Sequence, residues 1–328
     1  DKNFYSFDME SGYMNWIFKT RGKVNSVPFA DDQLVYFGSN DGRLYAVDRK
    51  SGKEKWRFQT YNTVQSLVLK SEDTIIFTSD TGATYFLSAD GKEKYRPLPN
   101  PVWSHHTFQV YDGVIYWAPQ GRRFGAFRIK DRKWLWLVNT ETDYVVWYSF
   151  PALADDTLYF GGNFFNYRTS RLAYYALDRE SGRELWRVDD DMDLGDLVAP
   201  NRNTMFFNHV PLLDYMAPAV YRNLVIFTSG DTVVRALRAT DGAVVWRKRF
   251  DLPVSSAPTI AGDRIYFGIH GHEGLGKKAR LVCLEAKSGE QLWEVEVEGA
   301  PLNAPVIAGR TVIFGTADSH FYVLEEVF

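Results

Sequence analysis

Residues 44–56 read LYAVDRKSGKEKW, and this stretch decides the fold because the chain repeats it along its whole length. Clear copies are FYSFDMESGYMNW at 4–16, YYALDRESGRELW at 174–186, VRALRATDGAVVW at 234–246 and LVCLEAKSGEQLW at 281–293. Two weaker copies, TYFLSADGKEKY at 84–95 and FGAFRIKDRKWLW at 124–136, lie between them, and a truncated copy begins at Phe321. Repetition at a fixed period indicates an array of similar structural units.

A second motif lies midway between the copies. It is an apolar stretch that ends in an aromatic residue followed by a small one, as in Phe37-Gly38, and it occurs seven times. Proline or an apolar residue precedes each aromatic by nine positions, as Pro28 precedes Phe37. Turn signals such as Asn-Asp-Gly and Ser-Gly separate the segments. Each period therefore predicts four short strands, which we name A, B, C and D in chain order.

Four antiparallel strands in every ~40 residues are typical of a β-propeller, in which similar sheets, or blades, repeat radially. Helical periodicity is nowhere sustained, so we predict one all-β domain over residues 1–328. The sequence holds seven A, seven B, seven D and eight C segments. We predict seven four-stranded blades, the last of them completed by the N-terminal strand that carries Trp16. An eight-bladed ring is the alternative.

The repeat also resembles a known family. Ala46, Asp48, Ser51, Gly52 and Trp56 fit the tryptophan-docking motif of the pyrroloquinoline quinone repeat, or quinoprotein-like, propeller superfamily. The resemblance covers essentially the whole chain and implies the fold rather than the cofactor. The superfamily contains quinone-dependent dehydrogenases, a BamB-like non-enzymatic branch and lumenal sensor domains.

The enzymes of this superfamily imply a calcium ion beside the quinone, an Asp base and commonly a pair of adjacent cysteines. This chain has one cysteine, Cys283, so that pair is absent. Cys283 takes the small-residue position of a C strand, and we predict that it is packed in the core. No acidic and amide residues stand together at the starts of the A strands. We therefore predict no cofactor and no catalytic residue.

Composition excludes further classes of function. The chain has 328 residues and a formal net charge of -3, with 38 basic and 41 acidic side chains, so it lacks the positive charge of a nucleic-acid-binding protein. No run of residues is apolar for the ~18 positions that a membrane-spanning helix needs. The start DKNFYSF has no signal-peptide pattern, and a leader or lipid anchor before Asp1 is left open.

Three small polar clusters offer metal ligands. Asp189, Asp191 and Asp193 alternate like the start of a calcium loop, but the following Gly195 is one place late for an EF-hand, and we favour a solvated acidic turn. The segment 270–276 contains two histidines and a glutamate, and we favour a polar hairpin. His105 and His106 begin an A strand, where hydrogen bonding is the simpler role.

Four long insertions distinguish this chain from a minimal repeat. They lie at 139–146, 162–171, 188–211 and 270–278, all in B-to-C or D-to-A connections, which leave a four-stranded antiparallel blade on one face. Insertions on one face of a repeat protein are typical of a binding surface. The candidate binding residues are the aromatics and the arginine of these segments: Trp147, Tyr148, Phe164, Phe165, Tyr167, Arg168, Phe206, Phe207 and Tyr215. Packing among themselves is the alternative.

A second candidate is the mouth of the central channel on the same face. The A strands begin there with polar, mostly uncharged residues, among them Asn25, Gln65, His105, His106 and Asn303. Such a ring can seat a small ligand or ordered water, and we favour water.

These patterns favour a non-catalytic scaffold that binds other proteins in an envelope complex, with a periplasmic or other extracytoplasmic location peripheral to the outer membrane. Membrane association would come through partners or a lipid anchor. The location and the kind of complex are implied by the BamB resemblance. A quinone-dependent dehydrogenase and a carbohydrate- or peptide-binding sensor are the alternatives.

Overall fold

The computed structural model describes residues 1–80, 83–99, 108–117, 123–139, 145–165, 170–193 and 216–325. Its internal contacts divide the chain into two compact units, Asp1–Trp134 and Leu135–Phe328. Nearly all regular structure in the described residues is β-strand, with one turn of 3-10 helix at Glu273–Leu275. The all-β prediction is confirmed.

The first unit contains the strands up to the start of β14. They are β1 (Asn3–Phe7), β2 (Met14–Lys19), β3 (Phe29–Ala30), β4 (Leu34–Ser39), β5 (Arg43–Asp48), β6 (Glu54–Gln59), β7 (Leu69–Ser71), β8 (Thr74–Thr78), β9 (Ala83–Ser88), β10 (Glu93–Pro99), β11 (Phe108–Tyr111), β12 (Val114–Trp117), β13 (Arg123–Arg128) and β14 (Lys133–Asn139).

The second unit contains the rest of β14 and the strands that follow. They are β15 (Val145–Tyr148), β16 (Ala152–Ala154), β17 (Thr157–Phe165), β18 (Ser170–Asp178), β19 (Glu184–Asp191), β20 (Ala219–Tyr221), β21 (Leu224–Phe227), β22 (Val233–Arg238), β23 (Val244–Arg249), β24 (Thr259–Ala261), β25 (Arg264–Ile269), β26 (Ala279–Glu285), β27 (Gln291–Val297), β28 (Val306–Ala308), β29 (Thr311–Gly315) and β30 (Phe321–Glu325).

Strand pairing follows the predicted order A-B-C-D. Seven sets of A, B and C strands pair antiparallel, beginning with β3, β7, β11, β16, β20, β24 and β28. In six of these sheets a D strand pairs with C, and the sheet of β16–β19 gains β15 as a fifth strand. The seventh sheet, β28–β30, has three strands among the described residues. The four-stranded antiparallel blade and the seven repeats of A, B and C are confirmed.

Within the described residues, the Trp16 strand pairs in a sheet other than that of the last blade. β2, which carries Trp16, pairs with β1 in a two-stranded sheet, with Trp16 opposite Ser6. The Trp16 indole N–H donates to the Arg49 carbonyl at 3.0 Å, in the turn after β5. The hairpin of β1 and β2 therefore packs on the next sheet as the C and D strands of a preceding blade, because local hairpin pairing of adjacent segments wins over distant pairing.

Four further interfaces between neighbouring sheets repeat this tryptophan contact. The indole N–H donates to a carbonyl in the C-to-D turn of the following sheet, at 2.8 to 3.1 Å for Trp56, Trp136, Trp186 and Trp246. The turn glycine has positive φ, and a Cβ placed on it would lie only 2.5 to 2.8 Å from a ring atom of the indole. The motif spacing from Gly to Trp therefore encodes contact between neighbouring blades, because only glycine lets the ring approach the backbone.

One interface in the first unit lacks both the tryptophan and the turn glycine. Tyr95 replaces the tryptophan of β10, and Arg132 replaces the turn glycine with φ 57°. The Arg132 guanidinium lies 5.1 Å from the centre of the Tyr95 ring. A side chain at the turn excludes the indole, so the smaller ring and a cation–π contact take its place.

Hydrophobic cores lie between neighbouring sheets. Tyr36 and Leu44 of one sheet, for example, join Ile75, Phe77 and Leu87 of the next in one buried cluster. The B and C strands are buried almost throughout, whereas D strands such as β6 alternate between exposed and half-buried residues. D strands are thus the outer strands of their sheets.

Candidate functional site

The sheet that begins with β15 is taller than the others. Its B and C strands, β17 and β18, have nine residues each, against four to seven elsewhere in the described chain. Their pairing continues past Gly162–Ala173, the level at which β4 and β5 end, through Asn163–Leu172 and Phe164–Arg171 to Phe165–Ser170. Three further residue pairs extend the sheet by about 10 Å.

Two more segments join this extension. β15 pairs antiparallel with the far end of β17, with Trp147 opposite Asn163 and Tyr148 opposite Gly162. β19 continues to Asp191, which lies opposite Arg171. Parts of the insertions at 139–146, 162–171 and 188–211 are therefore strands at one end of one sheet, rather than separate loops. We call these residues, 145–148, 162–165, 170–173 and 188–191, the sheet extension.

The structure places the candidate binding residues unevenly. The backbones of Trp147, Tyr148, Phe164 and Phe165 belong to the sheet extension, on the adjacent strands β15 and β17. The others lie outside the described residues: Tyr167, Arg168, Phe206, Phe207 and Tyr215.

A buried arginine joins the sheet extension to the following sheet. Arg235 of β22 is 2% exposed, and its Nε donates to Oδ2 of Asp190 in β19 at 2.6 Å. Its two terminal nitrogens donate to the two carboxylate oxygens of Asp231 at 3.0 and 2.8 Å, and Nη1 also donates to the Val233 carbonyl at 2.8 Å. Such a forked, charge-assisted arrangement fixes geometry as well as charge.

Tyr174 of β18 also contacts Arg235. The Arg235 guanidinium lies 5.9 Å from the centre of the Tyr174 ring, and the Tyr174 hydroxyl lies 2.9 Å from Oγ of Ser229. Burial raises the pKa of Tyr174, an effect that Arg235 partly opposes. Burial by itself lowers the pKa of Arg235, but Tyr174 and Asp231 raise it above its usual range. Arg235 is therefore a permanent cation.

One carboxylate of the acidic run, Asp190, belongs to this network, whereas the side chains of Asp189 and Asp191 are exposed. Asp190, with a side chain 12% exposed, accepts from Arg235 and lies 3.2 Å from Arg247. The three carboxylates considered for calcium point to separate arginines: Asp189 to Arg187 at 2.7 Å, Asp191 to Arg171 at 3.9 Å and Asp193 to Arg249 at 3.0 Å. Within the described residues no group of three His, Cys, Asp or Glu side chains converges as a metal site. Sequence reasoning missed Arg235, although its position is a tyrosine in most copies of the repeat.

The starts of the A strands show a structural role for serine. Oγ of Ser26, Ser66, Ser149 and Ser256 accepts from the backbone N–H of the small residue that follows the B-strand aromatic, at 2.7 to 2.9 Å. In these four sheets the serine hydroxyl holds strand A against strand B. Each serine precedes its small residue by twelve positions, and this constant spacing is the sequence signal that could have predicted the contact.

The candidates for the channel mouth differ in their exposure. Asn25 and Asn303 are exposed, and Gln65 is half-buried with its amide 3.3 Å from Oδ2 of Asp80. His105 and His106 lie outside the described residues.

The insertion at 270–278 is a polar hairpin, as favoured from the sequence. His272 and Lys277 pair across it, with the His272 N–H donating to the Lys277 carbonyl at 2.7 Å. Lys277 lies 2.8 Å from Asp251, and Lys278 lies 2.8 Å from Glu298. These ion pairs tie the hairpin to the connection between β23 and β24 and to the residue that follows β27.

Comparison with known proteins assigns the family. A family model described as outer membrane protein assembly factor BamB matches residues 1–94, 168–271 and 274–327, which is most of the chain. The chain belongs to the BamB family. The central unmatched segment, 95–167, contains the Tyr95–Arg132 contact and β15.

Curated relatives of this BamB-family chain are of two kinds. Quinoprotein alcohol dehydrogenase PedH of Pseudomonas putida is 28% identical over 148 residues, which cover 44% of this chain and 22% of PedH. Outer membrane protein assembly factor BamB of Moranella endobia is 26% identical over 122 residues, covering 34% of this chain and 30% of that protein. The matched stretches thus span less than a third of either relative.

Solved structures confirm the propeller fold. The crystal structure of BamB from Moraxella catarrhalis gives a TM-score of 0.72 at 16% identity, covering 96% of this chain and 89% of that one. A europium-containing methanol dehydrogenase gives 0.64 at 12% identity, covering 98% and 78%. Since a BamB protein and a methanol dehydrogenase share this fold, the fold alone does not assign a function.

The only cysteine of this BamB-family chain is not available for chemistry. Cys283 is 0% exposed, lies opposite Trp293 in the sheet and packs with Tyr266 in a core cluster. The prediction that it is a packed core residue is confirmed.

Proposed function

We propose that this BamB-family chain is a non-catalytic scaffold that binds other proteins in an extracytoplasmic envelope complex. The observation that carries the proposal is the sheet extension, in which three insertions continue one blade past the level where the other described blades end. Binding residues are commonly carried by elaborations of a rigid framework. The name of the matched family, outer membrane protein assembly factor, supplies the class of complex.

The extension suits a folded protein partner for two reasons. Among the described residues β15 is the edge strand of its sheet, so the side that faces away from β17 offers backbone N–H and C=O groups to an incoming strand. It carries Trp147 and Tyr148, and its neighbour β17 carries Phe164 and Phe165, which are residue types that dominate binding energy at protein interfaces. These four aromatics form the core of the proposed docking surface.

The same family membership supports an extracytoplasmic location. Among the described residues, no helix has the length and apolar character needed to cross a membrane. We propose that the chain associates with the outer membrane through its partners or a lipid anchor.

Partner capture tests the docking surface. A tagged chain is expressed in its native envelope, cross-linked and purified, and captured proteins are quantified by mass spectrometry. Replacing Phe164, Phe165 and Tyr167 with Ser is expected to reduce capture of the main partner at least tenfold, since loss of one interface hot spot costs about 2 kcal/mol or more. Circular dichroism checks that the variant is folded.

A matched control separates this surface from exposed aromatics in general. Tyr13 and Tyr61, which are 79% and 97% exposed, lie in the first unit, away from the sheet extension in sequence. Replacing both with Ser is expected to leave capture unchanged. Unchanged capture by the folded triple variant would refute the proposed surface.

A quinone-dependent dehydrogenase is the second candidate, favoured by the match to PedH. It predicts that calcium and pyrroloquinoline quinone together produce a bound-cofactor absorbance band and alcohol-dependent reduction of a dye. The scaffold proposal predicts neither, and a stoichiometric band with turnover would replace it.

A further inference from the structure

The position of Arg235 belongs to tyrosine in most copies of the repeat. Examples are Tyr45, Tyr85 and Tyr175. Each comes directly before the C-strand residue that lies opposite the tryptophan or tyrosine of strand D. Tyr45 donates from its hydroxyl to Asp41, four residues earlier, at 2.7 Å. Asp231 and Arg235 keep that spacing of four residues, so Arg235 replaces a tyrosine that would bond only within its own sheet.

The arginine reaches further than the tyrosine does. Its Nε contacts Asp190 of the preceding sheet at 2.6 Å, while its terminal nitrogens remain on Asp231. Asp190 is itself a departure from the repeat, because the equivalent residue in β6's sheet is Thr60, whose hydroxyl bonds to the carbonyls of its own blade. Both ends of this bridge are therefore particular to the interface of the sheet extension.

The ion pairs of Arg235 lie next to Asp193, whose backbone is bound by the same segment of the following sheet. The Asp193 carbonyl accepts from the backbone N–H and the hydroxyl of Thr232 at 2.7 and 2.8 Å. The Asp193 N–H donates to Oδ2 of Asp231 at 3.1 Å. The Asp231 carboxylate thus holds Arg235 and the backbone of Asp193 together.

We propose that Arg235 is a positioning residue for the docking surface, holding the sheet extension and the backbone at Asp193 against the sheet of β20–β23. This inference rests on the proposed function and adds the means by which the surface is preformed. A preformed surface loses less conformational freedom on binding, so a folded partner binds it more tightly.

The substitutions for the test are the residues that other copies of the repeat carry at the same positions. Arg235→Tyr with Asp190→Thr rebuilds the pair that Thr60 and Tyr85 form at the same repeat positions of two successive sheets, with a hydroxyl in reach of Asp231 and no ionic bridge between sheets. The variant is expected to keep its circular dichroism spectrum. Hydrogen exchange at the amides of Asp193, Thr232 and residues 170–173 is expected to accelerate at least about tenfold, because these amides open locally. Affinity for the captured partner is expected to fall by about tenfold or more.

Arg247→Met is the matched control, because Arg247 contacts the same Asp190 carboxylate at 3.2 Å from an exposed position. It is expected to change exchange and affinity by less than about twofold, as solvent-exposed ion pairs contribute little. If the double variant does not fold, Arg235→Lys, which keeps the charge but loses the fork, takes its place.

The outcomes separate this inference from the proposed function. Unchanged exchange at Asp193 and Thr232 would overturn the positioning role, whether or not a partner is captured. Faster exchange with unchanged affinity would also overturn it, while leaving the docking surface intact if the Phe164 and Phe165 substitutions still abolish capture. Faster exchange with weaker binding supports it.

Discussion

The contact between the turn glycine and the tryptophan gives the sharpest prediction for stability. Gly289 has φ 72°, and a Cβ built on it would lie 2.6 Å from Cε3 and 2.7 Å from Cδ2 of Trp246. The indole has little freedom to retreat, since its N–H donates to the Ala286 carbonyl at 3.1 Å. Gly289→Ala therefore combines backbone strain with overpacking at an interface between sheets.

A second glycine in the same sheet isolates the packing contribution. Gly262 has φ 59°, and a Cβ there would meet nothing within 4 Å. Left-handed backbone costs an L-residue about 1–2 kcal/mol, of which up to about 1 is offset by the reduced freedom of the unfolded chain. Gly262→Ala is thus expected to lower the free energy of unfolding by about 1 kcal/mol. Gly289→Ala adds about 1–3 kcal/mol of overpacking.

Urea unfolding followed by circular dichroism and tryptophan fluorescence measures the difference. Gly289→Ala is expected to lower the transition midpoint clearly more than Gly262→Ala, at an unchanged slope. Coincidence of the two optical transitions checks that a single free energy applies to this chain of repeats. Equal midpoints for the two variants would refute the argument that the indole is pressed against the glycine backbone.

Two further predictions concern other contacts of the first unit. Tyr95→Trp and Arg132→Gly together rebuild the standard interface, so the double variant is expected to be more stable than the sum of its single variants by about 1 kcal/mol in a denaturant double-mutant cycle; additive effects would contradict the pairing of Tyr95 with Arg132. Burial raises the pKa of Asp31, but Lys70 at 2.6 Å and two backbone N–H groups lower it by more, so that the net pKa is about 2. Since this value is below that of an unfolded Asp, near 4, its contribution to stability is complete above about pH 4 and is lost as the pH falls towards 2. The difference in unfolding midpoint between the wild type and Asp31→Asn should therefore shrink from pH 5 to pH 2, and a constant difference would exclude this role.

The sequence by itself determined the unit of the fold. The spacing from Asp48 to Gly52 encodes a turn, which is a short-range consequence of residue type: the Asp48 carboxylate accepts the Ser51 N–H at 2.9 Å, and the glycine adopts φ 67°. The recurrence of this turn and of a following tryptophan in most copies also predicts a repeated contact between sheets. The strands and their order within a sheet therefore follow from periodicity.

Tertiary structure decided how distant segments pair. Residues 145–148 and 188–191 read as insertions, yet they are strands beside β17 and β18, because pairing depends on which backbone edge is free in space. Asp190 reads as part of an acidic turn, yet a buried arginine 45 residues later neutralises it. Likewise, the strand of Trp16 pairs with its neighbour β1. These pairings and this ion pair each occur once in the chain and so leave no periodic trace in the sequence, which is why only the folded chain reveals them.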